Sequence, residues 1–334
     1  MALIFVSVDG WTHDEWLSYR RTGVGASDFS VLLGLSRYRC SLEYFHQLIG
    51  VRPINKTMNF AQINGKMQEP IIANYFRYFE KDHDTMVKNI NEGRVIREVE
   101  EVNGYMYDTE LDNMFCSLDR KFKDENYGNQ YCALEIKNES YASFSMWADR
   151  NPNQVLQLAY QLIISKFPMG VLLSKVGDSK LMADTMTYND ALKMKSLIVS
   201  TVSDFWGKVE QGRIIMSQIY DAKSNYNMKL ALDLQQEIFK LEPQPQLNDA
   251  YFSYLSKLSK ERTEIIPMAG TEYLLLKAKA LGKLAEKRKK IITQETEIKA
   301  ELARVMRENS KTQIDFGKLG SVDFFEGKFR LKLK

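Results

Sequence analysis

The chain has 334 residues, of which 44% are hydrophobic and 11% aromatic, and its formal net charge is +3. This composition excludes global disorder, because a chain of this length and apolar content can bury a full core. No apolar run reaches the roughly 18 residues that a membrane span requires. The three scattered cysteines form no C-x-x-C pair, which argues against a zinc ribbon or an iron–sulfur cluster and favours reduced thiols in a cytoplasmic setting.

The positive charge is concentrated in the last fifth of the chain. Residues 271–334 contain 16 Lys and Arg against 9 Asp and Glu, whereas the rest of the chain contains 30 against 34. Affinity for phosphate, an acidic partner and an ordinary solvated helix face would each account for such a segment.

The N-terminal residues predict a short strand within 1–10 and then a helix that Thr12 caps. A glycine-containing turn, RRTGVGASD, leads from this helix into a short apolar helix that begins near Phe29. A helix N-terminus with a hydroxyl group and a nearby arginine is a ready anion site, and Arg20 and Ser27 supply these groups. An ordinary capped helix is the alternative interpretation.

The next segment combines a helix with predicted strands. The sequence NGKMQEP, which contains Glu69, leads into a helix predicted over residues 71–80. The stretches VIREVE and YMYDTE have the composition of strands, and the Asn103-Gly104 pair between them predicts a β-hairpin.

A second hairpin is predicted between Phe115 and Asn138. Its first strand would end near Asp119, DENYGNQ has turn chemistry, and Glu135 and Lys137 lie two apart on the second strand, so they share a face. A divalent metal between Asp119 and Glu135 would neutralise both charges, and Lys137 would hold or help to deprotonate an attacking water. An exposed edge strand with a cross-strand salt bridge is the alternative.

The remaining elements are mostly helical. A helix over 153–163 contains Gln154, a strand covers 170–175, and a helix over 189–207 closes this region near residue 215. Further helices are predicted over 226–239, 249–261 and 272–309, followed by a small β-meander. The last helix has heptad-like apolar positions, which suit packing against the preceding helix or a self-associating coiled coil.

Two motifs resemble a known group of nucleases. The pattern D-(turn)-E-I-K resembles the core of the PD-(D/E)xK superfamily. The opening W-x(3)-R-x-x-G-V-G-A-S resembles the YqaJ-like viral recombinase family, to which lambda exonuclease is related. The matching positions of that opening are Trp16, Arg20, Gly23, Ala26 and Ser27. The order of five motifs, including Glu69 and the Gln154 helix, extends the resemblance over about two thirds of the chain.

The resemblance implies an α/β fold with a restriction-endonuclease-like core, in which helices flank a mixed central sheet. Residues 1–215 would form the nuclease domain, and residues 216–334 a helical extension, with a coiled coil as one form of it, that ends in the β-meander.

It also implies a set of site residues. Two Mg²⁺ or Mn²⁺ ions would be held by Glu69, Asp119, Glu135 and the carbonyl of Ile136. Lys137 and Gln154 would complete the catalytic group, and Arg20 and Ser27 would bind the 5′-phosphate of a DNA end.

The activity implied by the resemblance is a metal-dependent exodeoxyribonuclease. It would digest linear double-stranded DNA in the 5′→3′ direction and leave 3′ single strands for phage-type recombination. A single-strand annealing protein and a homo-oligomer, by resemblance a trimer, are the implied partners. A structure-selective DNA endonuclease and a non-catalytic DNA-binding protein are the alternatives. Two positions depart from the family pattern, with Arg120 in place of the usual glycine and Asn138 in place of a frequent cysteine.

Overall fold

The computed structural model describes residues 2–54, 58–140, 151–177, 180–246, 248–260, 272–308, 313–315, 320–325 and 328–333. The chain divides into two compact units, Met1–Arg262 and Thr263–Lys334. Within the described ranges, no helix combines the length and the apolar composition needed to cross a bilayer.

The first unit contains nine strands and ten α-helices in its described part. The strands are β1 (Leu3–Ser7), β2 (Val24–Gly25), β3 (Val99–Glu101), β4 (Gly104–Asp108), β5 (Met114–Phe115), β6 (Arg120–Asp124), β7 (Gln130–Glu139), β8 (Met169–Val176) and β9 (Lys180–Thr187). The helices are α1 (His13–Tyr19), α2 (Phe29–Leu32), α3 (Ser41–Ile49), α4 (Phe60–Tyr78), α5 (His83–Glu92), α6 (Pro152–Ser165), α7 (Tyr188–Leu192), α8 (Lys195–Ser224), α9 (Met228–Leu241) and α10 (Asp249–Lys260).

The central sheet has five strands in the order β3-β6-β7-β8-β9. Strands β7 and β8 run parallel, and the other neighbours run antiparallel, so the sheet is mixed. Strand β9, which follows the predicted strand 170–175, has no counterpart among the sequence predictions. Two smaller pairs complete the unit, β1 with β4 and β2 with β5.

Both faces of β7 are covered by helices. Leu134 and Ile136 belong to an apolar cluster with Ile72 and Phe76 of α4, whereas Ala133 belongs to the opposite cluster, which contains most of α6. A strand buried on both faces is the usual arrangement at the parallel centre of an α/β sheet. The predicted fold class, a mixed sheet flanked by helices, is confirmed.

The predicted hairpin between Phe115 and Asn138 forms, but its first strand lies later in the sequence. Strand β6 covers residues 120–124 and pairs with β7, while Phe115 belongs to β5 and pairs with Gly25 of β2. Asp119 therefore comes just before β6 and does not end the first strand. The alternation at 115–119 reflects two separate segments, because the chain leaves one small sheet before it enters the central one.

The predicted hairpin around Asn103-Gly104 is wrong. Strand β3 pairs with β6, and β4 pairs with β1, so the two strands that flank this turn belong to different sheets. Glycine is required at position 104 because a Cβ there would collide with the Val6 carbonyl and the Phe5 ring of β1. The glycine marks a close strand approach and not a hairpin turn.

Helix α4 begins eleven residues before its predicted start at Ile71. Asn59 accepts a hydrogen bond from the Gln62 backbone N–H, and the Gln62 side chain accepts one from the Asn59 N–H, which forms a capping box. Pro70 lies inside the helix, although proline removes one backbone hydrogen bond there. The earlier start places Lys66 and Glu69 on helical turns that face the candidate site.

The second unit agrees with its sequence predictions. Helix α11 spans Glu272–Glu308, and strands β10 (Gln313–Asp315), β11 (Gly320–Phe325) and β12 (Lys328–Leu333) form an antiparallel meander. The packing of this helix against the preceding one and its self-association stay predictions.

The first compact unit extends well beyond residue 215, the predicted end of the nuclease domain. That residue lies inside α8. The Gln246 side chain donates to the carbonyl of Val31 at 2.9 Å and accepts from the Ser41 N–H at 3.0 Å. The Tyr254 hydroxyl lies 2.6 Å from Nδ1 of His46. These contacts tie residues 242–254 to the N-terminal helices.

A fragment that ends at residue 215 should therefore be less stable than a fragment that ends at residue 262. The shorter fragment loses the partners of His46, Ser41 and Val31, and each buried hydrogen bond is worth about 1 kcal/mol. We expect its melting temperature to be lower by roughly 10 °C, measured by circular dichroism. Equal melting temperatures for the two fragments would show that residues 216–262 do not support the nuclease region.

Candidate active site

Glu135 is the buried centre of the site. Its side chain is 2% exposed, and its Oε1 atom accepts a hydrogen bond from Nζ of Lys137. Gln157 donates to the same oxygen at 2.6 Å, and Gln161 donates to Oε2 at 2.6 Å. Three donors thus hold the carboxylate in one orientation, and such charge-assisted bonds are stronger than neutral ones.

Helix α6 brings these glutamines to β7. Asn151 caps the helix by accepting from the Asn153 N–H, and Pro152 occupies the first turn, where its missing N–H costs nothing. Residues 157 and 161 are four apart and lie on one face of the helix. That face lies against β7, so both amides reach the carboxylate of Glu135.

Gln154, the predicted catalytic glutamine, lies one turn too early for Glu135. Its Nε2 atom donates to Oε1 of Glu139 at 2.6 Å. The structure thus brings together Glu135 and Lys137, as expected from their spacing, and places Gln157 and Gln161 where Gln154 was expected. The contact of Gln154 with Glu139 fixes the start of α6 against the end of β7.

Asp119 lies beside the same strand. Its Oδ2 atom accepts a hydrogen bond of 2.7 Å from the backbone N–H of Ile136. Burial, and after it the negative charge of Glu135, raises the pKa of Asp119 to about 8. Burial would lower the pKa of Lys137, but Glu135 and Asp119 outweigh it and raise that pKa. The two carboxyl groups and the ammonium group therefore act on one another.

Glu69 forms an ion pair with an arginine. The Nη1 atom of Arg120 donates to Oε1 of Glu69 at 2.5 Å and to the carbonyl of Asp119 at 2.5 Å. Within the residues that the structure describes, no three His, Cys, Asp or Glu side chains form a group that could hold a metal ion. The predicted convergence of Glu69, Asp119 and Glu135 is thus not present in this arrangement.

The donor set at Asp119 and Glu135 nevertheless suits a divalent cation. Hard cations such as Mg²⁺ and Mn²⁺ prefer oxygen ligands. Such an ion would stabilise the ionised form of Asp119, whose pKa burial and the charge of Glu135 raise. The residues Asp119 and Glu135 fit a metal ion, and Glu69 in its ion pair does not.

The predicted anion site contains Arg20 and Ser27, and it also contains an acidic residue. Nη2 of Arg20 lies 2.5 Å from Oδ2 of Asp28 and 3.5 Å from Oγ of Ser27. Arg39 pairs with the other oxygen of Asp28. Burial would raise the pKa of Asp28, but the two arginines hold it below its ordinary value. Asp28 thus positions both guanidinium groups at the turn before α2.

A cavity of about 470 Å³ lies beside Asp119. Its lining includes Glu69, Asp119, Arg120, Trp16 and Tyr105. The guanidinium of Arg20 lies 5.0 Å from the ring centre of Trp16, so Trp16 separates the cavity from the arginine.

Tyr105 adds a polar group to the same cavity. Its hydroxyl is buried and has no hydrogen-bond partner within the described part of the chain. Burial raises the pKa of Tyr105 to about 12, so this hydroxyl stays a neutral donor. An unsatisfied donor in a cavity favours a ligand that carries acceptor oxygens.

Several residues of the site were not among the sequence predictions. Some of these residues have weak sequence signals. The glutamines at 154, 157 and 161 share one helical face, and Asp28 directly follows Ser27. For Arg39, eleven residues after Asp28, and for Tyr105, the sequence carries no local signal.

Comparisons with known proteins agree with the N-terminal motifs. Residues 15–168 match the model of the YqaJ-like viral recombinase domain. The uncharacterized protein YqaJ of Bacillus subtilis (strain 168) is 26% identical over 138 residues, which are 41% of this chain and 37% of that protein. The chain therefore spans little more than a third of the length of that curated relative.

Two solved structures are also similar. The alkaline exonuclease LHK-Exo from Laribacter hongkongensis is 19% identical, with a TM-score of 0.45, over 63% of this chain and 98% of that chain. LHK-Exo in complex with dAMP is 17% identical, with a TM-score of 0.45, over 64% and 99% of the two chains. The matched segment, residues 15–168, is thus similar to the YqaJ-like viral recombinase domain, and it contains Arg20, Ser27, Glu69, Asp119, Glu135 and Gln154.

Proposed function

We propose that the chain is a divalent-metal-dependent exodeoxyribonuclease that digests linear double-stranded DNA from its 5′ end and leaves 3′ single strands. The observation that carries this proposal is the group of Asp119, Glu135 and Lys137 beside a cavity that Asp119 lines and that Trp16 separates from Arg20. Two carboxylates with an ammonium group suit phosphodiester hydrolysis, in which the negative charge on the phosphate must be stabilised.

Asp119, Glu135 and the carbonyl of Ile136 would hold the metal ion. A bound Mg²⁺ or Mn²⁺ ion supplies Lewis-acid stabilisation of the scissile phosphate. Gln157 and Gln161 keep the Glu135 carboxylate in one orientation, so the ligand is already positioned before the substrate arrives. The Lys137 ammonium places a positive charge beside the carboxylates, where it would orient the attacking water.

Arg20 and Ser27 would bind the terminal 5′-phosphate. Guanidinium groups bind phosphate oxygens with charge-assisted hydrogen bonds. Because Asp28 fixes the Arg20 guanidinium, the phosphate meets a donor that is already in place. A DNA end anchored there would extend through the cavity past Trp16 and Tyr105 towards Asp119.

Digestion of end-labelled DNA tests the proposal directly. The purified protein is incubated with Mg²⁺ and linear duplexes labelled at the 5′ or the 3′ end, beside a closed circular duplex. We expect early release of the 5′ label from linear DNA and an intact circle. Cleavage of the circle would instead indicate a structure-selective endonuclease, and no digestion of any substrate would indicate a non-catalytic DNA-binding protein.

The Arg20→Gln variant should lose activity selectively on 5′-phosphorylated ends. A charge-assisted hydrogen bond is worth about 1.5–3 kcal/mol, so we expect a loss of about 10- to 100-fold on these ends. The measurement is the ratio of initial rates on 5′-phosphorylated and 5′-hydroxyl duplexes.

The exposed Arg94, changed to glutamine, is the matched control and should leave this ratio unchanged. If Arg20→Gln lowers both rates equally, Arg20 supports the fold or general DNA binding and does not recognise the phosphate.

The single-strand annealing partner and the trimeric assembly are further predictions of the family resemblance. Pull-down from infected cells would test the partner, and sedimentation would test the assembly.

A further inference from the structure

Arg120 occupies a central place among the acidic residues of the site. It is the first residue of β6 and is 8% exposed. One guanidinium nitrogen contacts Glu69 and the Asp119 carbonyl, and the other lies 3.4 Å from Glu101. The group therefore joins α4 to the residue that precedes β6.

The Glu69 oxygen that Arg120 contacts is one that a metal ion at Glu69 would bind. A carboxylate oxygen of Glu69 and the main chain at Asp119 are oxygen donors of the kind that Mg²⁺ and Mn²⁺ prefer. In this structure a guanidinium group takes both. Leaving a buried arginine without its acidic partner destabilises the fold, so a second cation that took Glu69 from Arg120 would bind only weakly.

The formal charges point the same way. Glu69, Glu101, Asp119 and Glu135 carry −4 when ionised, and Lys66, Arg120 and Lys137 together supply +3, so the group has a net charge of −1. A single divalent ion then gives the group a small positive charge, which one phosphate diester neutralises. Two divalent ions would leave a large positive excess beside three fixed cations, which is unfavourable where solvent is limited.

We infer that Arg120 takes the place of one divalent cation, so that the site binds a single metal ion at Asp119 and Glu135 and Glu69 serves as the counter-ion of Arg120. This inference rests on the proposed metal-dependent function and specifies its metal stoichiometry. It also gives the guanidinium group a second role, since Arg120 lines the cavity and can contact a phosphate there.

The test is a titration of the full-length, DNA-free protein with Mn²⁺, followed by isothermal calorimetry and by the electron paramagnetic resonance signal of free Mn²⁺. We expect about one Mn²⁺ per wild-type chain. Arg120→Met keeps much of the side-chain length, removes the charge and releases Glu69, so this variant should bind about two. Lys121→Met, the next residue on the same strand with its side chain on the other face, is the matched control and should bind about one.

Glu69→Gln provides an independent measurement should Arg120→Met fail to fold. If Glu69 is a counter-ion only, Mn²⁺ affinity should change by less than about threefold; a loss of tenfold or more would identify Glu69 as a ligand and overturn the inference. Two Mn²⁺ ions per wild-type chain, or one per Arg120→Met chain, would overturn it while the proposed nuclease stands. No Mn²⁺ binding by the wild type would overturn the inference and the proposed metal site together.

Discussion

Replacing Glu135 by glutamine should lower the rate of DNA digestion by about a thousandfold or more, which corresponds to about 4 kcal/mol of transition-state stabilisation. The substitution keeps the size of the side chain but removes its negative charge. Lys137, Gln157 and Gln161 all donate to this carboxylate, and a glutamine amide cannot accept from all three donors. The variant would therefore lose both the charge that holds the metal ion and the fixed orientation of the ligand.

The measurement is the release of nucleotides from linear duplex DNA in Mg²⁺, beside DNA binding in Ca²⁺. We expect digestion to be lost and binding to persist, and Asp119→Asn should behave in the same way. Glu100→Gln, at an exposed glutamate on β3 of the same sheet, is the control and should digest DNA normally. Digestion by Glu135→Gln at more than about a tenth of the wild-type rate would refute the assigned site.

The parts of this site that the sequence predicts are the parts that depend on local spacing. Glu135 and Lys137 are two apart on one strand, and any strand places such residues on the same face. The family resemblance predicts that Gln154, the first glutamine of the matching motif, binds the attacking water or Glu135. Which turn of α6 meets Glu135 depends on where the helix lies along β7, and that position follows from tertiary packing, which places Gln157 and Gln161 there instead.

The fold, like the site, can be predicted from the sequence only where the signals are local. Strands β7 and β8 and the C-terminal meander were predictable from apolar runs and turns. The pairing of β4 with β1 joins residues about a hundred positions apart, and no local signal reveals such a partner. The Asn103-Gly104 pair is typical of a turn, but here both residues make long-range contacts. Asn103 donates a hydrogen bond to Asp9, and Gly104 permits the close approach of β1.

Arg120 shows how one departure from a family pattern changes the expected chemistry. From sequence, a large cation beside Asp119 would contact a phosphate or crowd the site. The structure shows a third arrangement, in which the guanidinium group pairs with Glu69. A three-carboxylate site and a two-carboxylate site with an internal cation have the same list of acidic residues, so only the contacts distinguish them.

The second large effect that we expect is on stability, from Asp28→Asn. The Asp28 side chain is 8% exposed and pairs with both Arg20 and Arg39. Removing its charge leaves two largely buried guanidinium groups without an anion, and breaking a buried pair in this way costs about 3 kcal/mol or more. For a unit of this size the melting temperature should fall by roughly 10 °C, measured by differential scanning calorimetry at pH 7.

The pH dependence separates the charge of Asp28 from its shape. Because the arginines hold the folded-state pKa of Asp28 below its ordinary value of 3.8, the wild-type advantage over Asp28→Asn is fully present above that value. The advantage should disappear as the pH falls through the lower, folded-state pKa, where the native carboxylate becomes protonated. Glu98→Gln, which removes a mostly exposed partner of Arg77, should change the melting temperature much less. An Asp28→Asn difference that stays constant down to pH 2 would show that shape or hydrogen bonding, and not charge, makes Asp28 stabilise the arginine cluster.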